Sequence, residues 1–243
     1  MSKGIGAQFF EFTKYENLEP AGQQLGEPEP PVEAPLPGSG RLLSLPAPPE
    51  TPLKALVDQR TSVRNYAPQS LTLAELSYLL WCTQGVKHTE YGHTFRTVPS
   101  AGARHAIETV ILANRVEGLQ SGLYRFRALK HSLEEYRLGR AIADQVAGAC
   151  WGQQFVKTSA VTFLWVAVPG RMTWRYGERG YRYLLLDAGH ICQNLYLAAE
   201  SIECGACAVA AFDDNLLNKI LNLDGRNYFV IYLAAVGKKK GRR

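Results

Sequence analysis

The chain has 243 residues, 46% of them hydrophobic and 20% charged, ordinary proportions for a globular protein with one large domain or two small ones. Its formal charge of +5 hints at nucleic acid, but five of the 27 basic residues (Lys238, Lys239, Lys240, Arg242 and Arg243) stand at the C-terminal end, leaving 22 to face 22 acidic ones. The body is therefore neutral, and the charge requires no nucleic-acid partner.

The first segment, Gly4 to Leu18, is short and partly aromatic (Phe9, Phe10, Phe12, Tyr15), which predicts docking on an apolar surface. Ten of the 13 prolines then fall between Pro20 and Pro52, in a stretch with few large apolar residues that reads as an extended arm. A folded body is expected from residue 53 to 237, preceded by this N-terminal segment and arm (1–52) and followed by a basic tail (238–243). Leu53–Gln59 reads as a short helix. Thr72 with Glu75 forms a capping box ahead of helically spaced Leu73, Leu76, Leu80 and Thr83. Glu108–Ala113 reads as a strand, and Leu123–Phe126 pairs with Leu133–Leu138 as a hairpin. A helix near Arg140–Cys150 precedes a β-prone run, Val161–Val168, which Pro169-Gly170 closes. Tyr183–Ser201 is a long helix, apolar on nearly every side, which implies burial in the core or against a second subunit. Cys207–Ala211 reads as a strand, Asp213–Leu221 as an aspartate-capped helix and Tyr228–Val236 as a last strand. Strands and helices mix without strict alternation, which predicts an α+β fold rather than a doubly wound one.

No run suits a membrane span, since the apolar helix carries Asp187, His190, Gln193, Asn194 and Glu200. Met1–Phe12 lacks the apolar stretch of a signal peptide. The five cysteines are odd in number and irregular in spacing, against a disulfide framework, so a reducing cytoplasm is the default expectation. Glycine-rich dinucleotide and P-loop patterns, a zinc helix and a nucleophile elbow are all missing, and no metal site is expected.

Two loops carry chemistry instead. Arg60-Thr61-Ser62-Val63-Arg64 brackets two hydroxyls with two guanidinium groups, a donor set that matches phosphate oxygens. Pro99-Ser100-Ala101-Gly102-Ala103, followed by Arg104-His105, has the small side chains that let backbone approach a flat ligand, although the same residues also make an ordinary turn. Cys204 and Cys207 have redox spacing but read better as small core residues. His190 reads as a hydrogen-bonded core histidine, and His105 as the better candidate for ligand contact. Tyr78, Trp81 and Tyr91 either line a pocket or pack in the core.

Arg60–Arg64 followed by Pro99–His105 resembles the flavin-binding signature of the nitroreductase superfamily, and Thr13-Lys14-Tyr15, Arg175-Tyr176-Gly177-Glu178-Arg179-Gly180-Tyr181-Arg182 and Asp187-Ala-Gly-His190 with Gln193-Asn194 resemble its SagB-type, azoline-dehydrogenase-like branch. The resemblance implies a mainly antiparallel mixed sheet flanked by helices, with FMN at a homodimer interface. It implies that Arg60, Thr61, Ser62 and Arg64 hold the phosphate end of FMN, and that Pro99, Ser100, Ala101 and Gly102 approach the flavin from the other subunit, with His105 beside that loop a candidate for contact with substrate or flavin. It also places the backbone of Val209, Ala210 and Ala211 beside the flavin ring. Lys238 and Lys239 fall where the family often supplies a basic residue to the phosphate; alternatively they are a solvated tail. Flavin does the redox chemistry itself, which accounts for the absent triad and metal. The implied activity is NAD(P)H-driven reduction of nitroaromatic, quinone or similar small acceptors. The alternatives are oxidation of peptide thiazolines or oxazolines to azoles, and a flavin-binding partner module without catalysis. The resembled azoline dehydrogenases use a Lys-Tyr pair where this chain has Arg175-Tyr176. Arginine does not act as a base, so Tyr176 is the residue left to handle a proton, with Arg175 beside it.

Overall fold

A hairpin of β1 (Val86–Glu90) and β2 (His93–Arg96) stands apart from one six-stranded sheet. The sheet comprises β3 (Ile107–Ala113), β4 (Gly122–Arg127), β5 (Ser132–Leu138), β6 (Val161–Ala167), β7 (Cys204–Val209) and β8 (Phe229–Lys238), in the order β5-β4-β3-β6-β8-β7. These elements are those of a computed structural model that describes residues 4–32 and 42–241. The middle of the proline-rich arm, and Arg242 and Arg243 of the tail, lie outside the described residues. Every strand pairing in the sheet is antiparallel; parallel contacts are confined to isolated bridges, Ser62 with Ala206 and Leu71 with Val116. The fold is α+β, as the sequence predicts.

The helices are α1 (Ile5–Phe12), α2 (Pro52–Gln59), α3 (Leu73–Gln84), α4 (Ala141–Ala149), α5 (Gln154–Thr158), α6 (Pro169–Tyr176), α7 (Gly180–Ser201) and α8 (Asp214–Ile220). They cover both faces of the sheet. Alternate residues of β6 explain how: Val161, Phe163, Trp165 and Ala167 join a cluster with Leu76, Leu79 and Leu80 of α3 and Leu184, Ile191 and Leu195 of α7. Leu164 and Val166 join the opposite cluster with Ile142, Val146, Val156 and Leu217 of α4, α5 and α8. A strand buried on both faces reads as a continuous apolar run, which is why Val161–Ala167 is fully buried and plain in the sequence.

Local signals behave as chemistry dictates. Thr72 Oγ1 accepts from Glu75 N at 3.1 Å while Glu75 Oε2 accepts from Thr72 N at 2.9 Å, closing both halves of the capping box that starts α3. Asp213 caps α8 through Leu216 N at 2.8 Å. The N-terminal segment docks chiefly through Phe10, which packs 4.8 Å from Phe229 and 5.9 Å from Tyr181, and through Gly6 N, which donates to Glu178 Oε2 at 2.8 Å, while Phe9, Phe12 and Tyr15 stay exposed.

Several expectations are corrected. Pro169-Gly170 opens α6 instead of merely ending β6, because proline's fixed φ suits the first helical turn. The strand expected at Cys207–Ala211 runs from Cys204 to Val209, so Ala210 and Ala211 lie beyond it. β8 continues to Lys238, two residues past the expected end, because Gly237 and Lys238 still pair with Gly205 and Cys204. The chain's own contacts do not bury all of α7: Arg182, Leu185, Leu186, Gly189, His190 and Gln193 form an exposed stripe. His190 is therefore not a core histidine. Among the described residues no helix is long and apolar enough to cross a membrane.

Candidate active site

The arginine loop is fastened to the edge of the sheet. It leaves α2 at Arg60 and runs beside β7, where Ser62 bridges Ala206 and Val63 N donates to Ala206 O at 2.9 Å. Gly205 permits this approach, since a Cβ there would stand 2.5 Å from Val63 Cβ and Cγ2. Tyr196 of α7 closes the corner: its hydroxyl accepts from Ala208 N at 2.7 Å and lies 3.3 Å from Ser62 Oγ, while the Arg60 guanidinium sits 5.4 Å over its ring. Thr61, Ser62 and Arg64 are exposed. Among the described residues neither Arg60 nor Arg64 has a carboxylate partner within ion-pair distance. Two guanidinium groups without a carboxylate partner among the described residues, beside a hydroxyl on a backbone pinned to a strand, make a donor set chemically suited to an anion.

The second loop is held from beneath by α7. Asp187, 3% exposed, accepts from Ser100 Oγ at 2.5 Å and from Ala101 N at 3.2 Å, and Ser100 Oγ in turn accepts from His105 N at 2.9 Å. Burial pushes the Asp187 carboxyl above its ordinary range, and the two hydrogen bonds oppose that rise. Gly102, Ala103 and His105 all have positive φ (57°, 53° and 44°), so strain is concentrated in this turn. A Cβ on Gly102 would collide with the Tyr176 hydroxyl and stand 2.9 Å from Arg175 Cδ and Nε. The loop and the Arg175-Tyr176 pair therefore meet within one chain. His105 is buried, with Nε2 3.1 Å from the Thr94 carbonyl; burial, then the nearby Arg96 guanidinium, lower its pKa to about 4. Its carbonyl accepts from Arg171 Nη1 at 3.1 Å, so His105 ties the loop to β2 and α6.

The other expected residues are spread around these two centres. Val209 is buried in the core, Ala210 is exposed, and the Ala211 carbonyl accepts from Gln153 Nε2 at 3.0 Å. Lys238 and Lys239 are neither a solvated tail nor unpaired cations: Lys238 Nζ meets Glu75 and Lys239 Nζ meets Glu200. Both charges already have carboxylate partners, which competes with any role on a phosphate. Cys204 and Cys207 are free, buried thiols raised by burial, Cys204 to about 11. Three residues apart on a strand, they point to opposite faces, as core residues rather than a redox pair. Tyr78, Trp81 and Tyr91 are exposed and do not pack in the core.

Asp187 and Tyr196, the α7 residues that organise the two loops, are nine positions apart, roughly 13 Å along the axis and about half a turn around it. One chain thus holds the two loops on different sides of a single helix, with the exposed stripe of α7 beside them. Neither organiser was assigned a role from sequence. A carboxylate within an apolar helix was a legible signal for Asp187; nothing local marked Tyr196.

The Nitroreductase family model matches residues 57–238. The chain belongs to the nitroreductase family. Nitroreductase-family proteins are oxidoreductases that generally use flavin cofactors. "Putative nitroreductase MJ1384" of Methanocaldococcus jannaschii is 35% identical over 197 residues, which span 81% of this chain and 96% of that protein. The crystal structure of a putative nitroreductase from Ralstonia eutropha superposes with a TM-score of 0.66 at 28% identity, covering 88% of this chain and 100% of the other. The chain is also similar to a SagB-type processing protein of this family, the microcin B17-processing protein McbC of Escherichia coli. That likeness is 27% identity over 145 residues, covering 56% of this chain and 51% of McbC.

Proposed function

We propose that the protein is an FMN-dependent oxidoreductase, active as a homodimer, that uses NAD(P)H to reduce nitroaromatic, quinone or similar acceptors. The observation that carries this reading is the Arg60–Arg64 loop, pinned along β7 with two guanidinium groups that have no carboxylate partner among the described residues. The residues fit the cofactor. Arg60, Ser62 and Arg64 would hold its phosphate by charge-assisted hydrogen bonds, and Thr61 adds a hydroxyl to the same loop. The small-residue turn Pro99–Gly102 would lie against its ring from the partner subunit, and the exposed backbone at Ala210 would line the ring's edge. Lys238 and Lys239 are left out of this set, their charges being met by Glu75 and Glu200. When bound, FMN supplies hydride transfer. The chain's part is to orient substrate, exclude water and provide the Tyr176 hydroxyl as a proton donor beside Gly102.

A homodimer is consistent with the bare stripe on α7, where Leu185 and Leu186 are 44% and 58% exposed. A second subunit would cover the stripe and would bring one chain's Arg60 loop toward the other chain's Gly102 loop. The test is a spectrum of the purified protein followed by anaerobic addition of NADPH and then NADH. A yellow protein that bleaches and then reoxidises with a nitroaromatic or quinone is the expected result. A yellow protein that neither nucleotide bleaches contradicts the donor assignment.

A second reading is oxidation of peptide thiazolines or oxazolines to azoles, supported by the likeness to McbC and by the Tyr176 hydroxyl at the Gly102 turn. Incubating the oxidised protein with a thiazoline peptide in air distinguishes the two. Loss of two hydrogens from the peptide, by mass, favours azole formation.

A further inference from the structure

Three guanidinium groups lie on three aromatic rings around the Gly102 turn. Arg104 is 4.7 Å over Trp174, Arg175 is 5.7 Å over Tyr176, and Arg179 is 5.9 Å over Tyr183. The rings are themselves coupled, Tyr176 meeting Tyr183 edge-on at 4.8 Å. Arg104 is steadied by its Nε bond to the Arg171 carbonyl (3.3 Å) and Arg179 by its Nε bond to the Tyr183 hydroxyl (3.0 Å). Among the described residues none of these three arginines has a carboxylate within ion-pair distance, although the adjacent Arg171 pairs with Glu108 at 2.7 Å. The acidic residue within the same stretch, Glu178, is engaged elsewhere, accepting from Gly6 N. Trp174 is 74% exposed, a large ring held on the surface with a cation over it.

A guanidinium laid on a ring uses its face for stacking and keeps its edge for hydrogen bonds; with Nε already donated in Arg104 and Arg179, the two Nη groups remain as a fork that fits two oxygens of one anion. Arg104 and Arg175 both border the same turn, and Arg175 stands next to the Tyr176 hydroxyl. We propose that Arg104 and Arg175, with Arg179 behind them, form an anion-recognition rim, and that the substrate carries a carboxylate or phosphate close to its reacting group. The proposal rests on the reading of Gly102 and Tyr176 as the substrate end of the active site. It also gives a physical meaning to arginine where the resembled dehydrogenases have lysine. The position gains a planar, permanently charged fork and gives up a group able to lose its proton.

The test compares 4-nitrobenzoate with 4-nitrobenzamide, which share size and nitro group and differ in charge. Calorimetric Kd and steady-state kcat/KM are measured on the protein as purified. The parent is expected to favour the carboxylate by about tenfold in both, a preference that weakens with added salt. Arg175→Gln should bring that ratio near one through Kd and KM, whatever loss the two compounds share, and Arg175→Lys should restore part of it. Arg104→Gln is a second variant should the first fail to fold. The phosphate source is separated by NADPH against NADH: weaker binding of NADPH alone in Arg175→Gln assigns the rim to the donor's extra phosphate, remote from the reacting nicotinamide, and overturns the placing of the anion beside the substrate's reacting group. Equal binding of benzoate and benzamide by the parent, with no change in the NADPH to NADH ratio, overturns the rim. A protein without flavin that still prefers the carboxylate refutes the cofactor and keeps the rim. A reducible flavoprotein indifferent to charge does the reverse.

Discussion

Tyr176 owes its place to a residue without a side chain. Only glycine at position 102 leaves room for its hydroxyl, and the left-handed turn there is held by Asp187 through Ser100 and Ala101. Tyr176→Phe removes one oxygen and no packing, so turnover should fall by about a hundredfold while flavin content stays level. Equal loss of both would make Tyr176 a structural residue. His105 makes a separate prediction about pH. Its folded pKa, about 4, lies below the ordinary 6.5, so between these values the unfolded chain binds the extra proton and stability rises with pH. Its contribution is therefore complete above about 6.5 and lost as pH falls toward 4. The change is on the order of 2 kcal/mol after allowance for solvent screening. The stability difference between parent and His105→Asn in thermal melts should grow from about pH 4 to 6.5 and stay level above; parallel curves throughout would contradict the assignment. Sequence placed both residues near the site but not their partners, because Gly102 and Tyr176 meet across 74 positions and no local pattern encodes that distance.

At the level of elements, legibility followed burial. The capping box of α3 and the run of β6 were plain because short-range bonds and two-sided burial leave local marks. The β1–β2 hairpin left none: its residues are mostly exposed, so no apolar alternation advertises it. β7 starts three residues before the expected Cys207 because Cys204-Gly-Ala-Cys-Ala-Val209 has no periodic contrast, and its limits are set by pairing with β8. α7 begins at Gly180, three residues before the expected Tyr183, and its apolar circumference hides an open side. Leu186→Asp places a charge on that side without touching the chain's own core. If the stripe is a subunit interface, the variant should sediment as a monomer and lose most of its flavin while its far-ultraviolet circular dichroism is unchanged. An unaltered sedimentation coefficient would exclude the stripe as the interface.

Across the whole molecule, the sheet with helices on both faces positions everything else. β7 at one edge receives the arginine loop, α7 carries the organisers of both loops on different sides, and α1 braces the segment after Tyr176 through Gly6 and Glu178. The order of motifs along the chain foretold the family and the fold. It did not foretell that Lys238 and Lys239 would be paired with Glu75 and Glu200, since ion pairs between distant segments have no signature in sequence. In the proposed function the arginine loop alone would bind the cofactor's phosphate, and the most direct test is an FMN titration of flavin-stripped protein followed by fluorescence quenching. The parent is expected to bind stoichiometrically, one FMN per chain, and Arg60→Gln/Arg64→Gln on the order of a hundredfold more weakly, from the loss of charge-assisted hydrogen bonds. Equal affinity in parent and double variant, or no binding by either, would contradict the account.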